Sequence, residues 1–512
     1  MEFATKKLPF VLIPSALFAV ATLAFRGTFG ASALTARFFP ALAVCCGVGV
    51  LLAALMQLCP RVSLAKMAFI LVLFFGCLFT FVFPPNAVPD EPVHFAATYQ
   101  NVDAALGDDI TNPETIPLRL ADLRIYYRYH YPFPDARSYE SFYEGLTGPR
   151  PTGGLLSSYE GDRFAGVPYP YVYYPQTLGF LIARGFSLSP EWLVLLGRLF
   201  NLLCFAAAVW AAIRIAPFGG GVFALVALYP LCLQQAPSLS YDTVTIALGF
   251  LALAQYLRLT RLEGPARPVE LILFLATVFL LGPPKVVFLP FFLLVFLLPR
   301  TCFVTKHQEI VFKIAVVLVF FAALALVGWN YLHRGDGGVP VITYGDGPFY
   351  TFADITETPR FFAAMCWHTI KQFWEFYLNS MIGAELGHLE VSVNKVIIEA
   401  FLALSILAGF RTDTEKSLSR KERILFALLF LIAAFGTLLI MFVSWTPVGS
   451  GVILGIQGRY FLPVWPSVLL AVTGWKLPLR RHLTDKRLVL AATVLLVPVL
   501  YTAFTHIATR GL

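Results

Sequence analysis

Charged residues are scarce in this chain. They make up 13% of its 512 residues, whereas hydrophobic residues make up 58%, and the mean hydropathy is +0.74. A soluble protein cannot bury so much apolar surface, so the composition excludes a soluble globular domain and predicts an all-α integral membrane protein. The net charge of +8 is attributed to cytoplasmic loops, and no stripe of basic and aromatic residues suggests a nucleic-acid partner.

Paired cysteine motifs and internal repeats are also missing. The eight cysteines include no C-x-x-C pair, and most of them lie in or beside apolar segments. This pattern predicts neither a zinc site nor a disulfide framework. The apolar run after Lys6 and Lys7 lacks a convincing small-residue cleavage site, so we interpret it as an uncleaved first membrane span.

Long apolar runs, in contrast, are abundant and predict about thirteen transmembrane helices. The runs are 8–25, 38–58, 67–83, 190–213, 219–236, 240–258, 269–282, 285–299, 311–330, 394–410, 424–444, 460–475 and 488–507. With a cytoplasmic N-terminus, nearly every short basic cluster falls on the cytoplasmic side. The two runs 269–282 and 285–299 alternatively form a single kinked span over 269–299. The stretch 169–186 is interpreted as an interfacial or re-entrant helix.

Two large segments, 84–189 and 331–393, are then expected outside the cytoplasm, where they form a small layer on the bilayer. Within the second, an amphipathic stretch at 358–380 suits a helix on the membrane surface. The sequence is divided into three parts. They are an N-terminal transmembrane hairpin (1–66), a transmembrane core with the two outer segments (67–475), and a C-terminal transmembrane helix (476–512).

The acidic motif PDEPVHF follows the third predicted span and supplies the candidate catalytic residues Asp90, Glu91 and His94. One carboxylate is expected to act as a general base. The alternative is that the two acids only cap a helix, because carboxylates favour its N-terminus. His94 lies on their face of such a helix, where it orients a carboxylate, binds a metal or packs.

Candidate phosphate ligands lie at other predicted outer span ends. Arg459 in GIQGRYFLP, together with Tyr460, fits a phosphate clamp because guanidinium binds phosphate oxygens bidentately. An arginine that merely anchors a helix end is the alternative. Lys285 in GPPK is a second cation, with an ordinary loop lysine as its alternative.

Four more residues are candidate substrate contacts: Asp242, Gln457, Tyr173 and Tyr174. Asp242 begins a predicted span and alternatively caps it; the tyrosines alternatively pack at the membrane interface. Arg198 lies within a span and is expected to pair with a carbonyl or an acid. Because the candidate site residues lie at outer span ends, we expect them to converge at one site, with Asp90 facing Arg459.

These motifs resemble those of a family of bacterial polytopic membrane proteins of unassigned function. Its members share a D-E-P-x-H-F loop, a Ser/Asp span start and a Q-G-R-Y-F-L-P segment, here Asp90–Phe95, Ser240/Asp242 and Gln457–Pro463. The resemblance covers roughly 65–475. That family in turn resembles the GT-C glycosyltransferases, and YPYVYYPQTLGF followed by LVLLGRLFNLL is similar to their P-x-x-Y-Y…R-L passage. The two predicted spans before position 60 depart from the GT-C pattern.

The resemblance implies a GT-C-like fold and a glycosyltransferase in the bacterial cytoplasmic membrane. The donor would be a polyprenyl-phosphate-linked sugar and the acceptor an envelope glycan or lipid-linked glycan. Asp90 or Glu91 would fill the role of the acid that GT-C enzymes carry in their first outer loop. No cofactor is identified with certainty, and a divalent metal held by Asp90, Glu91 and His94 stays an open alternative. The alternatives are a transporter or flippase for a lipid-linked glycan, and a structural subunit of an envelope assembly.

Overall fold

The computed structural model describes residues 33–108, 116–125, 129, 133–148, 156–159, 169–332, 348–410, 418–473 and 484–510. This part of the chain is mostly helical, in line with the expected class. Its α-helices are α1 (Ala33–Leu58), α2 (Leu64–Val82), α3 (Glu91–Leu106), α4 (Ala136–Thr147), α5 (Tyr174–Gly185), α6 (Pro190–Ile215), α7 (Gly220–Ala227), α8 (Pro230–Gln235), α9 (Asp242–Leu259), α10 (Pro268–Leu281), α11 (Phe292–Phe296), α12 (Lys306–Leu332), α13 (Phe352–Glu357), α14 (Pro359–Ile382), α15 (Lys395–Phe410), α16 (Arg420–Trp445), α17 (Trp465–Ala471) and α18 (Asp485–Ala508).

Short strands and 3-10 helices connect these elements. Strand β1 (Ile116–Arg119) pairs antiparallel with β2 (Leu156–Tyr159), and β3 (Glu385–Leu386) pairs antiparallel with β4 (Val391–Ser392). The 3-10 helices are Leu120–Leu123, Pro170–Tyr173, Val286–Phe291, Arg300–Cys302 and Gly458–Phe461. The last of these carries Arg459 into the site described below.

Six helices within the described ranges are long and apolar enough to cross a membrane. They are Phe38–Leu58, Leu64–Val82, Pro190–Ile215, Lys306–Asn330, Arg420–Trp445 and Asp485–Ala508. The class of membrane protein is thereby supported, but the predicted number of thirteen crossings is not confirmed. The first predicted span, 8–25, lies outside the described residues.

Three of the predicted spans are broken by turns or 3-10 segments. The run 219–236 divides into α7 and α8, with Pro230 at the start of α8. The runs 285–299 and 460–475 each begin with a 3-10 helix followed by a short α-helix. Proline lacks an amide hydrogen and clashes with the preceding turn, which explains a break at Pro230 that a hydropathy window does not register.

Helix α6 packs against α2, α5 and α9, and this group forms the centre of the fold. Ser189 caps α6 by accepting a hydrogen bond from the Trp192 amide, and Pro190 occupies its first turn. In α9, a Cβ added at Gly249 would lie 2.4 Å from the Pro463 carbonyl oxygen. A glycine at this position therefore lets α9 approach the segment that follows Arg459.

The terminal helices of the described chain pack on each other, since α18 contacts both α1 and α2. One buried hydrophobic cluster includes residues from Phe39 to Ala508 and thus spans all three predicted parts of the chain. The division at 66 and 475 stays a prediction. The expected surface helix at 358–380 corresponds to α14, whose Trp367 and Trp374 are exposed.

Candidate functional site

Four charged side chains from distant parts of the chain meet in one cluster: Asp90, Asp242, Lys285 and Arg459. Nη2 of Arg459 donates a hydrogen bond to Oδ2 of Asp90 at 2.5 Å. Its Nε lies 3.6 Å from Oδ2 of Asp242, and Nζ of Lys285 donates to Oδ1 of Asp242. We call these residues the charge cluster. The expected meeting of Asp90 with Arg459 is confirmed, although 369 positions separate them.

The backbone at Asp90 turns its carboxylate away from helix α3. Asp90 has φ 63° and ψ 10°, a left-handed conformation that aspartate tolerates better than most residues. It precedes α3, but its side chain forms no capping hydrogen bond. The capping alternative is therefore not what the structure adopts. The Asp90 side chain is 46% exposed, whereas that of Arg459 is 6% exposed, so the acid of this pair is accessible while the cation is enclosed.

The surroundings of Asp90 favour its ionised form. Burial alone would raise its pKa, but the positive charge of Arg459 holds the pKa below its usual range. Asp90 is thus a carboxylate at neutral pH. A carboxylate paired with arginine is a weak base until another anion competes for the guanidinium.

Glu91 lies in a different environment although it is the next residue. Its Oε2 accepts from Arg198 Nη2 at 2.5 Å and its Oε1 from Arg198 Nε at 2.7 Å; both side chains are 1% exposed. The Asn86 amide also donates to Glu91 at 2.9 Å, and Arg198 donates to the Phe83 carbonyl at 2.6 Å. The expectation that Arg198 pairs with an acid and carbonyls is confirmed. This enclosed pair joins α3 to α6 and leaves Glu91 no open path to an acceptor, so its alternative role as a base has no geometric support.

His94 packs among aromatic rings in the first turns of α3. Its Nδ1 lies 3.0 Å from the Tyr173 hydroxyl, and its ring meets that of Tyr241 edge-on, with centroids 5.3 Å apart. Burial lowers the pKa of His94 to about 4, so the imidazole is neutral at physiological pH. Within the described ranges, no group of three or more His, Cys, Asp or Glu residues is arranged to hold a metal ion. Asp90 and Glu91 turn towards different arginines, which separates two of the three side chains that the sequence offered as metal ligands.

Aromatic rings also flank the two cations. Nζ of Lys285 lies 4.6 Å from the ring centroid of Tyr460 and 5.4 Å from that of Tyr241, and Cζ of Arg459 lies 5.4 Å from the Tyr460 centroid. Cation–π attraction helps to hold both cations in place. Tyr241 was missed by the sequence analysis, although it directly precedes Asp242. Tyr174 is 58% exposed, and it forms no hydrogen bond or ring contact with the described residues of the charge cluster.

A narrow crevice opens beside Arg459. Its wall comes from the loop before Asp90, from α8, from the end of α14, from the β3–β4 hairpin and from the segment at 457–459, and its open volume is about 10 Å³. The polar or charged side chains in this wall are those of Gln234, Gln235, Ser380, Glu385, Gln457 and Arg459. The crevice thus places the predicted residue Gln457 next to the charge cluster.

An apolar groove of about 470 Å³ begins at the residue after Lys285. Its wall consists of Val286, Leu289, Pro290, Phe292, Leu293, Phe296, Val316, Val317, Phe320 and Ile432. These residues belong to the 3-10 helix Val286–Phe291, to α11, to α12 and to α16. The groove therefore adjoins the charge cluster along the chain.

Fold and site together define a helical membrane protein that gathers two acids and two cations at the ends of its helices. The chain belongs to a family of predicted membrane proteins, DUF2142, whose model matches residues 158–468. The expected membership in a membrane family of unassigned function is thereby supported at the level of the family. The matched segment contains Asp242, Lys285 and Arg459, while Asp90 precedes it. No curated protein and no solved structure matches the chain.

Proposed function

We propose that the protein is a glycosyltransferase of the bacterial cytoplasmic membrane. It would transfer a sugar from a polyprenyl-phosphate donor to an envelope glycan or lipid-linked acceptor at the outer face. The observation that carries this proposal is the contact between the half-exposed Asp90 carboxylate and the buried Arg459 guanidinium. A half-exposed acid beside an enclosed cation suits a reaction in which a phosphate leaves and a hydroxyl attacks.

Arg459 has hydrogen-bonding capacity for a phosphate. Its Nη1 is buried without an acceptor among the described residues, and its Nε is too far from Asp242 for a good hydrogen bond. An unpaired buried donor costs about 1–3 kcal/mol, so a phosphate oxygen at Nε would be favourable. Lys285 supplies a second positive charge on the other side of Asp242.

The apolar groove offers a place for the lipid part of the donor. Because Val286 in its wall follows Lys285 directly, a phosphate near Lys285 would leave the attached isoprenoid chain close to the groove. Burial of apolar carbon contributes about 0.8 kcal/mol per CH₂ group, so even a few isoprene carbons would add affinity.

The chemistry assigned to the site is a direct displacement. A phosphate bound to Arg459 competes with Asp90 for the guanidinium, so the pKa of Asp90 rises towards its usual value. Asp90 then takes the proton of the acceptor hydroxyl while the hydroxyl oxygen attacks the anomeric carbon. The bond from that carbon to the phosphate oxygen breaks, and Arg459 with Lys285 stabilises the leaving phosphate. One base and one displacement give inversion at the anomeric carbon, unlike a two-carboxylate retaining reaction.

The test follows sugar transfer by the purified protein in liposomes that contain a polyprenyl-phosphate sugar. Asp90→Asn should lower the turnover by about 10²- to 10⁴-fold, since it removes the base but keeps the shape and tolerates the left-handed backbone. Glu375→Gln is the control, because this acid pairs with Lys395 at the exposed surface of α14. Full turnover by Asp90→Asn would eliminate the assigned base. Translocation of the lipid without sugar transfer would instead support a flippase.

A further inference from the structure

Gln235, the last residue of α8, carries a fully buried side-chain amide. Its side chain lines the crevice beside Arg459, and neither Nε2 nor Oε1 has a hydrogen-bond partner among the described residues. A glutamine amide carries two donor hydrogens and an acceptor oxygen. Buried groups of this kind nearly always have partners, and each unmet one costs about 1–3 kcal/mol.

The neighbouring glutamine shows what a structural residue looks like at this point of the fold. Nε2 of Gln234 donates to the Gly387 carbonyl at 3.3 Å, and its Oε1 accepts from the Gly387 amide at 2.9 Å. Gln234 thus ties α8 to the β3–β4 hairpin. Gln235 makes no such tie. It lines the crevice together with Arg459, whose Nη1 likewise has no hydrogen-bond partner among the described residues.

The unpaired atoms define the chemistry of a ligand. Oε1 of Gln235 needs a hydrogen-bond donor, whereas its Nε2 and Nη1 of Arg459 need an acceptor. A fully ionised phosphate or carboxylate can only accept, and Glu385 in the crevice wall disfavours a further anion. A hydroxyl group both donates and accepts. The open volume of about 10 Å³ matches one group of the size of a water molecule.

We propose that Gln235 and Arg459 form a pocket for one hydroxyl group of the transferred sugar, so that Gln235 selects among sugar donors. This inference rests on the proposed function and deepens it, because it names a residue that determines specificity. The pocket lies next to Pro89, and therefore one residue from the proposed base. A sugar hydroxyl held there would help to orient the ring for attack at the anomeric carbon.

The test measures binding of a radiolabelled polyprenyl-phosphate hexose and of its monodeoxy analogues to the purified protein in lipid. In the wild type, one analogue should bind about 10- to 100-fold more weakly than the unmodified hexose donor. That analogue lacks the hydroxyl held in the pocket, so buried polar groups of the protein stay unpaired. The Gln235→Met variant should bind the unmodified donor as weakly as it binds that analogue, so it no longer discriminates between the two. Gln255→Met is the control: Oε1 of Gln255 in α9 also lacks a partner in the part of the chain that the structure describes, but Gln255 does not line the crevice.

The possible results separate the inference from the proposed function. If Gln235→Met discriminates as the wild type does while transfer continues, the pocket holds water only and the inference is wrong. If discrimination is lost in Gln235→Met but the wild type transfers no sugar, the pocket is real and the protein is not a transferase. If the wild type binds none of the donors, both proposals fail. A second variant guards against misfolding: Gln235→Glu retains an acceptor for the hydroxyl and should keep the preference against the same analogue.

Discussion

Two neighbouring carboxylates, Asp90 and Glu91, differ in what each can do. Asp90 stands in a left-handed turn, half exposed and held by one arginine, whereas Glu91 is enclosed and saturated by Arg198 and backbone amides. The separation follows from the start of α3, where Asp90 is still outside the helix and Glu91 is its first residue. Two consecutive residues therefore contribute one accessible acid to the charge cluster and one enclosed acid to the framework of the fold.

Glu91→Gln should destabilise the protein strongly. The change leaves the buried Arg198 guanidinium without a counter-charge, and breaking a buried ion pair costs about 3–5 kcal/mol in the free energy of unfolding. Thermal unfolding of the purified protein in detergent measures the effect. The exposed pair of Glu375 and Lys395 provides the control, because Glu375→Gln should change stability by less than about 1 kcal/mol. Equal, small effects of the two substitutions would show that the Glu91 pair does not hold α3 to α6.

His94 should make the protein less stable in mild acid. Burial holds its pKa at about 4 in the folded state, below the value of 6.5 for an unburied histidine. Between these values the unfolded chain binds a proton that the folded chain excludes, so stability is complete above about pH 6.5 and falls as the pH drops towards 4. The loss should approach about 3 kcal/mol.

The measurement is the midpoint of thermal unfolding between pH 7.5 and pH 4.5. His94→Gln should flatten the dependence, since the variant has no imidazole to protonate, while His307→Gln should leave it as in the wild type because His307 is exposed. If the unfolding midpoint of His94→Gln falls with pH as steeply as that of the wild type, the acid sensitivity belongs to other groups.

At the level of residues, the sequence allowed the charge cluster to be anticipated but not its internal arrangement. Charged groups at span ends are costly unless paired or used, so Asp90, Asp242, Lys285 and Arg459 stood out. The choice between Asp90 and Glu91 depends on a backbone angle that the sequence does not display. Gln235 was missed because its isolation appears only after α8, α14 and the hairpin have packed around it.

At the level of secondary structure, the site depends on interrupted helices. Lys285 immediately precedes the 3-10 helix Val286–Phe291, and Arg459 lies inside the 3-10 helix Gly458–Phe461. In membrane proteins, irregular backbone at membrane depth is tolerated where it lines a cavity or is buried in protein. The apolar runs at these segments contain prolines, but their mean hydropathy is high, so the sequence predicted continuous spans there. For that reason the chemistry of the segments was easier to anticipate than the number of crossings.

Gly458→Ala should disable the site by moving the neighbouring arginine. A Cβ at Gly458 would lie 2.2 Å from the Met381 amide nitrogen and 2.6 Å from Oγ of Ser380, so the backbone at 458 has to shift. A displacement of about 1 Å at a reacting centre can reduce the rate by about 100-fold, and we expect a loss of transfer of that order. The measurement is initial transfer rate together with the midpoint of thermal unfolding.

Gly451→Ala is the matched control for Gly458→Ala. A Cβ at Gly451 would meet no heavy atom of the described residues within 4 Å, and Gly451 precedes the same segment of chain. Its transfer rate and unfolding midpoint should equal those of the wild type. If Gly458→Ala behaves in the same way as Gly451→Ala, the close contact between the 3-10 helix and α14 does not position Arg459.

At the level of the whole molecule, the site joins two regions that sequence comparison separates. The segment 158–468 that matches the family contains both cations and Asp242, whereas Asp90 belongs to the preceding part of the chain. Composition alone predicted a polytopic membrane protein, and the distribution of basic residues placed the candidate residues on one side. Neither property reveals how closely Asp90 and Arg459 approach, because this distance depends on how α3 packs on α5, α5 on α6 and α6 on α9.

The apolar groove gives the proposed function a consequence that involves the bilayer. If the isoprenoid chain of the donor lies there, a larger side chain in the groove should weaken binding of long donors more than that of short ones. Val317→Trp narrows the groove from α12, and we expect the KM for a long-chain polyprenyl-phosphate sugar to rise about tenfold, equivalent to losing roughly two buried CH₂ groups. The KM for a donor with a single isoprene unit should change less, since its chain hardly enters the groove.

Leu324→Trp on the same helix α12 is the control for this experiment. Leu324 is 38% exposed and is not part of the groove wall, so this variant places a tryptophan on α12 without narrowing the groove. KM values for long and short donors, measured in liposomes of one lipid composition, distinguish the two variants. A rise in KM of equal size for both chain lengths, or equal effects of Val317→Trp and Leu324→Trp, would mean that the lipid chain lies elsewhere. A selective rise for the long donor in Val317→Trp would connect the charge cluster to the membrane through the residue that follows Lys285.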